Sequence, residues 1–292
     1  MGNIFLHADD YGLTRGISDS LDKLIEKEKL NSISIIVNGY DEYDLKLNKD
    51  VRIASHINIF ENKPISNENF LKDILDNNGR FRESFTFYLF SYYLGSTLKR
   101  KKIRNQIRIE VESQLIKLIK SLKGDQSINS IDSHNHIHMI PYIFNIFIEV
   151  CLKYDIKNIR TVHEFFDFSF PKNNLFKFNF YVGIIKHVLL NSFTFLNSRK
   201  VKKNNLLTNK YYLGVLFSGR MSKELIDSPI NKIKHNLKDN DYIEIVLHPG
   251  ILEKDEYKYW ENSPSLAKFY SSINRKDENT TLNNINNESY QI

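Results

Sequence analysis

Short apolar runs of β type alternate with helix-patterned stretches from residue 3 to residue 250, and this alternation leaves few folds open. "NIFLHA" (3–8), "NSISIIVNG" (31–39), "VRIASHINIF" (51–60), the start of "SINSIDSHNHIHMIP" (127–141), "IKNIRTV" (156–162) and "DYIEIVLHPG" (241–250) read as strands. Between them, residues 16–30 set Ile17, Leu21, Leu24 and Ile25 on one helical face, with Ser18 as the cap. Residues 107–124 form an amphipathic helix closed by Gly124, and Pro141 opens another over "YIFNIFIEVCLKY". Strand and helix in repeated succession predict an α/β fold: parallel strands joined by crossover helices, as an open doubly wound sheet or a closed (β/α) barrel. No G-x-G-x-x-G follows the first strand and no Walker-type Lys-Ser/Thr occurs, which counts against a nucleotide-binding sheet.

One catalytic domain is expected over 1–273, interrupted near 165–205 by a Phe- and Lys-rich insertion carrying a helix at about 175–196. Residues 274–292 are polar and read as a loose tail. A hydrophobic content of 41% excludes a disordered chain. Cys151 is the only cysteine, so neither an intrachain disulfide nor a thiolate metal cluster is available. The net charge is +6, yet no recognised nucleic-acid motif accompanies it, and nucleic-acid binding is not expected. Without a signal-peptide pattern or an 18-residue apolar run, the expected location is the cytoplasm.

Four strand ends carry unusual side chains. The first ends in Asp9-Asp10, the third carries His56, the fourth runs into Asp132, His134, His136 and His138, and the last ends in His248. In a parallel α/β architecture such positions converge on one face, where chemistry collects. Two adjacent carboxylates repel, and desolvating either is costly without a positive partner. An Asp with two His around a cation leaves positions open for water and substrate, an arrangement typical of catalytic rather than structural metals. A two-His, one-carboxylate set also serves Fe(II) oxygen chemistry, but no other feature of the chain points there. Alternation puts His134, His136 and His138 on one side if the segment is extended.

Taken together, "HADDYGLTRGIS", "SHINIF", "IDSHNHIHMIP" and "EIVLHPG" resemble, in order and spacing, the YdjC-like carbohydrate deacetylases, a group with chitooligosaccharide and hopanoid-associated members. The resemblance covers roughly residues 3–250 and implies a TIM-barrel-like (β/α) fold and metal-dependent removal of acetyl from an N-acetylated sugar or oligosaccharide. It also implies Asp10, His56 and His134 as metal ligands, Asp9 as general base, and His248 as acid or oxyanion partner. Asp132, His136 and His138 would support the ligands or touch substrate. Magnesium is the ion that the resemblance implies, whereas two nitrogens and an oxygen equally suit zinc or another transition metal. There are departures: Tyr11 replaces a usual Phe, Ser55 a usual Gly, Phe60 stands near a usual Leu, and the segment with Arg160 and Glu164 matches only loosely.

Rival readings are a metal-dependent phosphoesterase, with His136 and His138 as added ligands, and a non-catalytic protein that binds sugar or a membrane surface through 175–205. A glycosidase using Asp9 and Asp132 would leave the histidines idle. A homodimer is compatible with the sequence, which does not fix the oligomeric state.

Overall fold

The computed structural model describes residues 3–45, 47, 51–167, 178–285 and 290. Its strands are β1 (Asn3–Tyr11), β2 (Ser32–Ile35), β3 (Arg52–Ile57), β4 (Ser130–Ser133), β5 (Asn158–Ile159), β6 (Tyr211–Leu213) and β7 (Tyr242–Leu247). The helices are α1 (Arg15–Glu26), α2 (Phe85–Tyr93), α3 (Thr97–Ser121), α4 (Pro141–Lys153), α5 (Phe178–Lys203), α6 (Lys223–Ile233), α7 (Pro264–Tyr270) and α8 (Ile273–Asn284). The described strands are all parallel and form one sheet in the order β5-β4-β3-β2-β1-β7-β6. Single parallel bridges, Asn158 to Leu207 and Glu164 to Tyr212, join the two edges. The α/β class read from the sequence therefore takes the form of a curled, barrel-like sheet of seven strands.

Strand alternation sorts the side chains. Ile4, Leu6 and Ala8 of β1, Ile33 and Ile35 of β2, and Ile243, Ile245 and Leu247 of β7 share an apolar cluster with Ile17, Leu21 and Leu24 of α1. The intervening residues, His7, Asp9, Ser32, Ser34, Asp132 and Glu244, face the other way. With Arg160 they form one buried polar network inside the curl. The interior of the sheet is thus charged, and its apolar core lies between strands and helices.

Three expectations need correction. Residues 274–292 are not all loose tail: α8 covers 273–284 and buries Arg275, Glu278 and Leu282, spaced to share one helical face. Its buried side includes two charged residues, which is why apolar periodicity did not reveal it. The cap of α1 is Thr14, whose hydroxyl accepts from Ile17 N–H, rather than Ser18, whose Oγ donates to Thr14 O. The short strand β6, within the apolar run YYLGVLF (211–217), was not among the expected strands. The helix expected at about 175–196 is α5, while 168–177 lie outside the described residues. Among the described residues, no helix is long and apolar enough to cross a membrane.

Candidate metal centre and its pocket

Adjacent strand residues should point to opposite faces, so Asp9 and Asp10 would ordinarily be separated by the sheet. The β1–β2 register shifts between Ala8 and Tyr11, and Asp10 adopts φ +72° in the left-handed region. This bulge turns both carboxylates toward the same end of the sheet. Gly12 completes the turn at φ +86°, where a Cβ would stand 2.3 Å from Ile36 O. The first-strand motif thus requires glycine there for a steric reason.

The two carboxylates belong to different charge systems. Asp9 receives Arg160 Nη1 at 3.0 and 3.2 Å and lies 3.1 Å from His7 Nε2. Burial alone would raise its pKa, but Arg160, His56 and His7 together outweigh that and hold the carboxyl well below the usual range. Arg160 also reaches Asp132 (2.8 Å) and Glu244 (2.9 Å). The buried group His7, Asp9 and Asp132 has the residue types of a metal site, yet the Arg160 guanidinium already sits between its carboxylates.

Asp10 faces His134 and His56. One ligand atom from each of the three lies within 4.8 Å of the others. Asp10 Oδ1 is 3.0 Å from His134 Nδ1 and 3.9 Å from His56 Nε2, and it is buried without a hydrogen-bond partner. Each imidazole is fixed from behind by a carboxylate. His56 Nδ1 sits 2.6 Å from Asp132 Oδ1, and His134 Nε2 lies 3.1 Å from Glu61 Oε1. Glu61 is itself held by donors from Tyr270 (2.6 Å), Trp260 (2.7 Å) and Tyr40 (2.9 Å). A carboxylate–imidazole pair aimed at an open carboxylate oxygen is the usual support of a metal-ligating histidine. These residues therefore fit a divalent cation.

The electrostatics agree. Burial would lower the His134 pKa, but Asp10 and Glu61 on its two sides raise it to about 10. The space between these carboxylates demands a positive charge, which a proton or a metal ion supplies. Asp10 is buried too, yet His134 and Arg275 hold its carboxyl far below the usual range.

His134, His136 and His138 do not share a side. Residues His134–Met139 form a 3-10 turn in which Asn135 and His136 have φ of 52° and 56°, so strand alternation stops at Ser133. His138 turns inward, between Ser133 Oγ (2.8 Å) and Arg160 O (3.1 Å), and burial lowers it to about 4. His136 meets the edge of Tyr212, with centroids 5.6 Å apart. Neither joins Asp10 in a ligand group, which removes the extra ligands that the phosphoesterase reading required.

His248 approaches from β7, with Nε2 4.0 Å from Asp9 Oδ2. Burial lowers its pKa to about 4, so it is neutral at pH 7. Glu164, whose role was open, accepts backbone N–H groups from Gly214, Val215 and Leu216 and shapes that loop.

Sequence reasoning missed Glu61 and Arg275. Glu61 lies five residues after His56, and nothing in the sequence marks it as the partner of His134. Arg275, from α8, donates from Nη2 to Asp10 Oδ2 at 2.8 Å and lies over Phe269 and Tyr270. Glu278, one turn later, accepts the backbone N–H of His248 and of Met221. The centre opens into a cavity of about 410 Å³, whose floor includes Asp9, His56, His134 and His248 and whose walls include Phe60, Phe85, Leu189 and Phe269.

A family model described as YdjC-like protein matches residues 3–285. The chain belongs to that family. Relatives named carbohydrate deacetylase come from Oceanobacillus iheyensis (26% identical over 155 residues) and Thermoanaerobacter pseudethanolicus (28% over 160). These matches cover 52% and 53% of this chain, and 61% and 59% of the relatives' own lengths. A carbohydrate deacetylase of Vibrio cholerae is 24% identical over 157 residues, 52% of this chain and 56% of its own. A crystal structure from Enterococcus faecalis V583, described as a candidate cellobiose-phosphate cleavage protein, matches 100% of this chain and 99% of its own. The TM-score is 0.59 at 16% identity, a likeness of fold alone.

Proposed function

We propose that the chain hydrolyses the acetamido group of an N-acetylated sugar, with one divalent cation held by Asp10, His56 and His134. The observation that carries this reading is the pair of imidazoles, each fixed by a buried carboxylate on one nitrogen and facing Asp10 Oδ1 with the other. Family membership and the names of the relatives supply the substrate class. A cavity of about 410 Å³ suits a sugar ring.

When bound, the ion would lower the pKa of water and polarise the acyl oxygen. Two nitrogens and an oxygen suit zinc, manganese, cobalt or iron, and magnesium rests on family resemblance. Asp9 would accept the water proton: Arg160 keeps it ionised, and it lines the cavity beside Asp10. His248 starts neutral, so it must gain a proton before it can give one to the departing amine. Asp132 and Glu61 would keep each imidazole in one tautomer, with its lone pair toward Asp10. Phe60 and Phe269 would exclude bulk water from the acetyl methyl.

Acetate release from N-acetylglucosamine and its oligomers, before and after chelation and with ions restored, tests the reading. Loss with chelator and recovery with a transition ion is the expected result. His56→Ala and His134→Ala should purify without metal by mass spectrometry. Phosphate release from a sugar phosphate, with no acetate from any N-acetyl sugar, would overturn the assignment.

A further inference from the structure

Exposed apolar side chains gather on two stretches at the cavity mouth. Helix α5 packs one stripe on the barrel through His187, Leu190, Thr194, Asn197 and Val201, all buried. Its opposite side is apolar as well: Tyr181, Ile185 (67% exposed), Val188 and Phe195 (68%) recur at helical spacing, with Leu196 beside them. A helix that only covers a barrel keeps its outer face polar. The corner between α2 and α3 repeats the pattern with Phe90, Tyr93, Leu94 (81%) and Leu98 (65%).

The two stretches adjoin. Tyr92 of α2 stacks on Tyr142 at the start of α4, with ring centroids 3.7 Å apart. Asn197 and Lys200 of α5 donate to Met139 O and Pro141 O at the same helix start. Both stretches also wall the cavity, through Phe85 on one side and Leu189 and Leu190 on the other.

Charge follows the same division. Residues 84–109 and 178–206 together hold eleven Lys or Arg and no Asp or Glu, in a chain whose net charge is +6. The rest of the chain is therefore net acidic. Apolar side chains ringed by cations suit the boundary of an anionic bilayer, where the first enter the headgroup layer and the second meet lipid charge. A two-fold dimer through this face would set the cations against their own copies.

We propose that the outer face of α5 and the α2–α3 corner dock on an anionic membrane surface.

Co-sedimentation of the full chain with phosphatidylglycerol-containing vesicles and with pure phosphatidylcholine vesicles, at low and high salt, tests docking. Binding to the anionic vesicles should be at least about tenfold tighter and should weaken with salt. The triple substitution Ile185→Ser, Val188→Ser, Phe195→Ser should reduce that binding by about tenfold or more. Its acetate release from a water-soluble N-acetyl sugar should stay at the wild-type rate. No binding to anionic vesicles, equal binding by the variant, or a dimer in sedimentation that the same substitutions dissolve would overturn the proposal. Vesicle binding that passes these controls without acetate release from the soluble sugar would uphold docking and count against the deacetylase reading alone.

Discussion

Asp9 and Asp10 are neighbours in the chain, but each answers to its own cation. Arg160 neutralises Asp9, whereas His134 and Arg275 face Asp10 and leave its Oδ1 without a hydrogen bond. Substituting one should therefore leave the other's environment largely intact. Asp9→Asn should retain metal by mass spectrometry yet lose about 10²–10⁴-fold in turnover, the usual worth of general acid–base help. Full activity in this variant would refute the base assignment. Glu61→Gln should weaken metal affinity by about 10- to 100-fold in calorimetry, because His134 loses the carboxylate that sets its tautomer. Unchanged affinity would mean that Glu61 serves only packing. At this scale Asp9, Asp10, His56 and His134 were legible, since each follows an apolar run directly. Glu61 and Arg275 were not, because a lone charge in a sequence does not announce the partner it meets from another part of the chain.

The C-terminal helix α8 shows how an element can escape pattern reading. Its buried residues Arg275, Glu278 and Leu282 share a helical face, but only one of them is apolar. Their stability comes from specific partners: Asp10 for Arg275, and the backbone N–H groups of Met221 and His248 for Glu278. Arg275→Met should leave the Asp10 carboxylate short of its buried partner and cost about 3–5 kcal/mol of unfolding free energy in urea. Loss under 1 kcal/mol would show that water takes the guanidinium's place (~1 kcal/mol being the scale of an exposed pair). The 3-10 turn after β4 is the complementary case. "HNHIH" invites an extended reading, yet positive φ at Asn135 and His136 breaks the alternation and sends three histidines to three environments. β-type spacing alone could not report that, whereas the strands and helices with clear periodicity were read correctly in type.

For the whole molecule, the demand for positive charge between Asp10 and Glu61 links stability to pH and to metal. His134 has its pKa raised from an ordinary 6.5 to about 10. The stabilisation from its proton is full below pH 6.5 and disappears as pH climbs through 10. With chelator present, the melting temperature should accordingly fall as pH rises across that window. Added divalent ion should restore it, with affinity growing about tenfold per pH unit while one proton is displaced. A flat melting profile with chelator would contradict this linkage. The fold class was legible from strand–helix alternation. The closing of the sheet was not, because it depends on a three-residue strand and two isolated bridges. The same topology sets β1 between β2 and β7: Asn3 lies opposite Tyr242, and Asp10 meets Arg275 of α8. The buried pair of Asp10 with Arg275 spans 265 residues, so that carboxylate leaves water only once segments far apart in the chain have met.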